Sequence, residues 1–184
     1  AFGWFLNVYI EIFRGTPMIV QSMVIFYGSA QAFNISLDRT WAAIFIVSIN
    51  TGAYMSEIVR GGILAVDTGQ FEAATALGMT HGQTMRKVVL PQVVRNILPA
   101  TGNEFVINIK DTSVLNVISV VELYFTGNTV ATQNYQYFPT FTIIAVIYFI
   151  LTFTITRILR YIERRLDSDT YTTGANQMQV KEVK

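Results

Sequence analysis

A polar stretch caught between apolar runs constrains this chain more than any other feature. Residues 61–87 contain Asp67, Glu72, His81, Arg86 and Lys87, whereas Gly15–Leu37 and Thr40–Ser56 before them carry no charge. Further on, Phe138–Thr156 supplies 19 uncharged residues rich in Phe and Ile. A helix of about 20 apolar residues crosses a hydrocarbon core of about 30 Å. The chain is therefore expected to be an all-α membrane protein, a bundle of transmembrane helices of which four are present. The polar stretch is then a short cytoplasmic elbow between spans.

Composition supports that class and excludes others. Only 14% of the 184 residues are charged and 52% are apolar, against about 25% charged in soluble domains. A net charge of +1 gives no basic face for nucleic acid. The absence of cysteine excludes disulfide and zinc-ribbon scaffolds. A single histidine, His81, excludes a His-rich metal cluster. The opening Ala1-Phe2-Gly3-Trp4-Phe5 lacks the basic start of a signal peptide. An N-terminal part is expected to be missing ahead of Ala1.

The chain divides as a transmembrane domain, 1–166, and a polar tail, 167–184, expected to be flexible. Ala1–Phe13 mixes aromatics with Asn7 and Glu11 and suits a membrane interface. Thr16-Pro17 is a helix entry, because Pro fits a first turn. Asn50 and Thr51 read as contacts between helices, since hydroxyl and amide side chains in membrane helices usually face protein. Arg14, Arg60, Arg86, Lys87 and the Arg157–Arg165 cluster fall on one side if successive spans alternate. The excess of positive charge puts that side, the elbow and the tail in the cytoplasm.

The elbow, within a coupling region of about 61–90, has its own punctuation. Asp67, Thr68 or Gly69 can cap a helix starting near Gln70, with Glu72 suited to its positive end. Ala73, Ala74 and Ala76 favour helix and leave room for a close neighbour. Gly78 is placed to end it in a left-handed turn. Thr80-His81-Gly82-Gln83 has the form of a capping box opening a second helix that runs toward Pro91.

Glu72-Ala73-Ala74, three residues, Gly78, nine residues, then Val88-x-Leu90-Pro91 resembles the EAA motif of permease subunits of ABC importers. Isoleucine is common in that family where Val88 stands. Phe13-Arg14-Gly15-Thr16-Pro17 with Gln21, Ala53-Tyr54 with Glu57, Arg60-Gly61-Gly62, Gly69-Gln70, Leu90-Pro91-Gln92 and Lys110-Asp111-Thr112-Ser113 resemble its polar amino-acid subgroup, in order, across about residues 9–125. The resemblance implies five spans, two permease subunits (identical or homologous), two cytoplasmic ABC ATPase subunits and an extracytoplasmic solute-binding protein. It implies that the ATPase docks on Gln70, Glu72, Ala73, Ala74 and Gly78. This chain has no Gly-x-x-x-x-Gly-Lys-Ser/Thr phosphate loop. The expectation is thus a non-catalytic subunit without a cofactor, its ATP bound by the partner.

Charges inside the apolar half point to the substrate. Glu104, Asn108 and Asp111 stand at i, i+4 and i+7, one face of a continuing helix. A charge at mid-bilayer costs about 2.5–3.5 kcal/mol on insertion scales, so such groups should face a cavity or a partner. One reading has that face bind a polar or cationic amino acid; the other is a structural Lys110–Asp111–Glu104 charge network. A helix break at Asp111-Thr112-Ser113 would let the amides near Thr112 and Ser113 receive a carboxylate. Against the importer reading stands a channel-like or structural membrane subunit whose elbow anchors a cytoplasmic partner. An intramembrane enzyme lacks any nucleophile–base or metal-ligand pattern.

Overall fold

The structure, a computed structural model, describes residues 3–165 with their side chains. The side chains of the expected flexible tail, 167–184, lie outside the described residues. Helices follow in the order α1 (Phe2–Gly15), α2 (Met18–Phe33), α3 (Arg39–Leu64), α4 (Thr68–Ala76) and α5 (His81–Thr84). After a π-turn at Met85–Val89 come α6 (Leu90–Asp111), a 3-10 segment (Thr112–Ile118), α7 (Leu123–Asn134) and α8 (Tyr137–Glu182). No strand occurs among the described residues.

Among those residues α3 and α8 are each long and apolar enough to cross a membrane. A third crossing exists if the run His81–Ile118 and α7, bent by 55°, count together. α2 is shorter than its uncharged sequence run. Pro17, extended at φ −64° and ψ 139°, sets its start, and Asn34 ends it in the left-handed region at φ 54°. Its 16 residues span about 24 Å at 1.5 Å per residue. The described part of the stretch expected at the interface belongs to a regular helix, α1, from Phe2 on. In α3, 28% of the most apolar window is buried against protein, and in α8 only 6%. α3 therefore packs inside the fold, while α8 turns nearly all its apolar surface outward.

Contacts divide the chain into two units, residues 1–57 with 104–153 and residues 58–103 with 154–184. In the first, Ala42, Ala43 and Ile46 of α3 pack with Leu115 and Ile118 of the 3-10 segment, supported by Met18, Ile25 and Phe26 of α2. Small residues on α3 let the neighbouring backbone come close, as expected where lipid offers no hydrophobic drive. Gly127 of α7 does the same for α8, where a Cβ would sit 1.9 Å from Ile144 Cδ1. Beside that contact the Tyr148 hydroxyl donates to Glu122, which also accepts the Tyr124 and Phe125 amides at the start of α7.

In the second unit Val66, Val89 and Val93 form a buried cluster with Ile63, Phe71, Met85 and Ile97 around it. The helix opened by the capping box, expected to run toward Pro91, continues through it. Proline lacks an amide and crowds the carbonyl four residues back. The preceding turn widens instead, with the Leu90 amide donating to Met85 O, five residues back. That wide turn carries the helix past Pro91 into α6.

Candidate functional site

Two places answer to the sequence expectations: a polar cavity in the first unit and the elbow in the second.

The cavity, ≈ 340 Å³, is lined by Thr16, Pro17 and Met18 before and in α2, Asn50 and Tyr54 of α3, and Glu104, Ile107, Asn108 and Asp111 of α6. Glu104, only 9% exposed, is buried, whereas Asp111 is exposed. The i, i+4, i+7 spacing does bring Glu104, Asn108 and Asp111 to one hollow. Thr51 Oγ1 donates to Asn108 Oδ1 at 3.2 Å, which fixes the amide of Asn108 from α3. Among the described residues no ion pair joins Lys110 to Asp111 or Glu104.

Thr112 and Ser113 do not line this cavity. Asp111 stays in right-handed helical geometry and caps nothing with its side chain. The run from His81 to Ile118 continues, tightening from α to 3-10 instead of breaking. The amides of Thr112 and Ser113 therefore lie inside a helical run rather than at a free helix end. Thr112 Oγ1 donates to Ile109 O at 3.0 Å, and Ser113 O accepts from Asn116 Nδ2.

The wall opposite α6 rests on Gln21, a buried side chain. Gln21 Nε2 donates to Phe13 O (3.0 Å), Thr16 O (2.9 Å) and Thr16 Oγ1 (2.9 Å). Its Oε1 accepts from Asn50 Nδ2 at 3.0 Å. One side chain thus satisfies carbonyls that the end of α1 leaves without helical partners. Asn50 and Thr51 are the interhelical contacts their residue types suggest, Asn50 to α2 and Thr51 to α6. Arg14 lies 5.6 Å over the Tyr54 ring and 3.4 Å from Glu57. The motif residues Arg14, Thr16, Pro17, Gln21, Tyr54 and Glu57 are therefore one spatial cluster.

In the elbow Asp67 is the cap, accepting the Gly69 amide at 2.6 Å. Gly78 adopts φ +74°. Its amide donates to Thr75 O and that of Met79 to Ala74 O, the two bonds of a Schellman ending. The capping box is present: Thr80 N donates to Gln83 Oε1 at 2.9 Å and Gln83 N to Thr80 Oγ1 at 3.4 Å. Glu72 and Ala73 are exposed, whereas Ala74 is 3% exposed and packs inward. Gln70 accepts from Gln92 Nε2 at 3.4 Å, tying α4 to α6. Leu77 is 82% exposed beside Gly78. Sequence reading did not single out Leu77, nor Met18 and Ile107 of the cavity; nothing in their spacing marks them.

A helical protein with helices long and apolar enough to cross a membrane, a polar hollow in one unit and a capped two-helix elbow in the other is built as a membrane transport subunit. The chain belongs to the family described as binding-protein-dependent transport system inner membrane component, which it matches over residues 1–168. It is 41% identical over 169 residues to the glutamine transport system permease protein of Escherichia coli, covering 89% of this chain and 77% of that one. The arginine transport system permease protein of Bacillus subtilis is 37% identical over 91% of this chain and 77% of its own. Among solved structures, an amino acid ABC transporter crystallised with histidines superposes with TM-score 0.82 and 43% identity, covering 86% of this chain and 74% of that one. The methionine ABC transporter shares the fold, with TM-score 0.73 at 21% identity. The chain is a permease subunit of an amino-acid ABC importer.

Proposed function

We propose that this subunit carries polar or cationic amino acids through the cavity at Glu104, Asn108 and Asp111, and that an ABC ATPase drives it from the elbow. The observation that carries the reading is the convergence of two carboxylates and two amides, Asn50 and Asn108, on one hollow among apolar helices. Carboxylates there suit the ammonium of an amino acid, or a cationic side chain, better than they suit lipid. Thr112 and Ser113 follow directly in the chain but do not line the cavity, so the hydroxyl of Tyr54 in its wall is the donor offered to a substrate carboxylate.

The docking surface is α4, with Gln70, Glu72, Ala73, Ala74 and Gly78 in distinct roles. Glu72, Ala73 and Leu77 face outward to meet the ATPase. Ala74 packs inward, Gln70 ties to Gln92, and Gly78 sets the angle of the elbow. Two ATPase subunits hold the nucleotide, so this chain is non-catalytic and needs no cofactor of its own. A second permease, identical or homologous, completes the path, and an extracytoplasmic binding protein delivers the substrate. The elbow faces the cytoplasm, on the side of Arg14, Arg60, Arg86, Lys87 and the Arg157–Arg165 cluster.

Glu104→Gln is expected to weaken uptake of arginine, histidine and lysine while ATPase subunits still copurify. Unchanged uptake of all three removes Glu104 from the substrate path. Replacing Gly78 by leucine should leave ATP hydrolysis running without uptake. Normal coupled transport in that variant argues against docking on α4.

A further inference from the structure

Asn50, Tyr54 and Glu57 lie at i, i+4 and i+7, a single stripe of α3. Each grips the turn between α1 and α2, or the first part of α2, by a different bond. Asn50 holds Gln21 (3.0 Å), Tyr54 offers its ring to the Arg14 guanidinium (5.6 Å), and Glu57 pairs with Arg14 (3.4 Å). Gln21 in turn pins Phe13 O and Thr16 O, the carbonyls on either side of Arg14. Arg14 is thus held by its backbone neighbours and aimed by its partners. Tyr54 lines the cavity, as do Thr16 and Pro17, but Arg14 does not. Tyr54 also sits on the part of α3 that leads to the charged residues Glu57 and Arg60.

We propose that Arg14, Tyr54 and Glu57 form a latch that shuts the cavity at the charged end of α3, with Arg14 as the residue that positions the Tyr54 ring. This rests on the reading of the cavity as the substrate path. A cation over an aromatic face and a carboxylate beside it are bonds that break without unfolding a helix. With Arg14 42% and Glu57 23% exposed, water can take over both partners when they part. The ring then turns aside and the amino acid leaves toward the cytoplasm. A cavity wall held only by apolar packing would have no such exchange available.

The test uses the whole transporter, permease with its ATPase subunits and binding protein, in vesicles loaded with labelled arginine or glutamine. Efflux without ATP, down the concentration gradient, reads the latch directly. Arg14→Ala and Tyr54→Ala should each raise this leak about tenfold, the change a lost cation–π contact corresponds to. Tyr54→Phe, which keeps the ring face, should leak several-fold less than Tyr54→Ala. Arg14→Lys should fall between wild type and Arg14→Ala, since lysine keeps the charge but loses the planar stack. The double variant should leak no more than either single one, because both act on one contact.

A merely structural bond between α1 and α3 would lower assembly and uptake together and leave the leak unchanged. Wild-type leak in assembled Arg14→Ala and Tyr54→Ala, or equal leak in Tyr54→Phe and Tyr54→Ala, overturns the latch. Should Arg14→Ala fail to assemble, the comparison of Tyr54→Phe with Tyr54→Ala decides alone. Glu104→Gln in the same vesicles separates the two ideas. Altered uptake there with no leak in the latch variants removes the latch and keeps the cavity. Unaltered uptake removes the cavity as the path, and the latch with it.

Discussion

Around the cavity, polar groups are held across helices; around the elbow they are held mostly within a few residues of chain, the Gln92–Gln70 bond apart. Gln21 reaches back eight residues to Phe13, Asn50 reaches 29 to Gln21, and Thr51 reaches 57 to Asn108. In the elbow Asp67 bonds Gly69, Thr80 and Gln83 bond each other, and Gly78 closes α4 on Thr75. What packs the elbow against its surroundings is apolar: Phe71, Met85 and Ile97 around Val66, Val89 and Val93. A moving part that must keep its shape while being pushed benefits from local caps, which survive changes in its neighbours. A substrate chamber needs polar groups from several helices at once, and their bonds set the chamber's form.

The contrast breaks most visibly at Gln21. Gln21→Leu removes the Gln21 bonds to Phe13 O, Thr16 and Asn50 together and leaves the Asn50 Nδ2 to Phe13 O bond, 3.3 Å, in place. The bonds lost, at about 0.5–1.5 kcal/mol each, add to an expected loss of about 3 kcal/mol in denaturant or thermal unfolding in detergent. A loss below about 1 kcal/mol would mean that water replaces the bonds and the hub is weaker than its geometry.

Gly78→Ala comes next, at about 1–2 kcal/mol for an L side chain in the left-handed region. Hydrogen exchange should speed up at the Thr75–Met79 amides and stay unchanged at α1 and α2. Faster exchange at both would show that the elbow's shape is not local after all. Asp67→Ala should cost about 1 kcal/mol and Asp67→Asn much less, as for other helix caps, read as exchange at the first turn of α4. Smallest is Thr51→Val, with about 0.6 kcal/mol for one hydrogen bond between membrane helices. Its effect should show more clearly as altered substrate selectivity, since Asn108 loses the bond that fixes its amide.

The same division explains what was legible in the sequence. Caps and the left-handed glycine are short-range chemistry, and Asp67, Gly78, Thr80 and Gln83 each stand where their residue types place them. The face of Glu104, Asn108 and Asp111 was legible too, because helical spacing is enough to gather it. Partners from other helices were not. Nothing near Gln21 names Phe13 or Asn50, and Arg14 and Tyr54 are 40 residues apart. One expectation failed on local grounds: Asp111 did not open a new helix, because the existing one tightened instead. The widened turn that carries the helix past Pro91 was not legible either.

The widened turn also bears on which changes in length the chain tolerates. Met85–Val89 holds one residue more than an α-turn would. Deleting a single residue there would close the turn to α-geometry and bring the Pro91 ring back against the carbonyl four residues before it. The same deletion between Val89 and Ile97 would swing Ile97 by about 100° and out of the apolar cluster. The length of this turn and Pro91 therefore belong together, and a deletion in Met85–Val89 should keep the fold only when Pro91 is replaced as well.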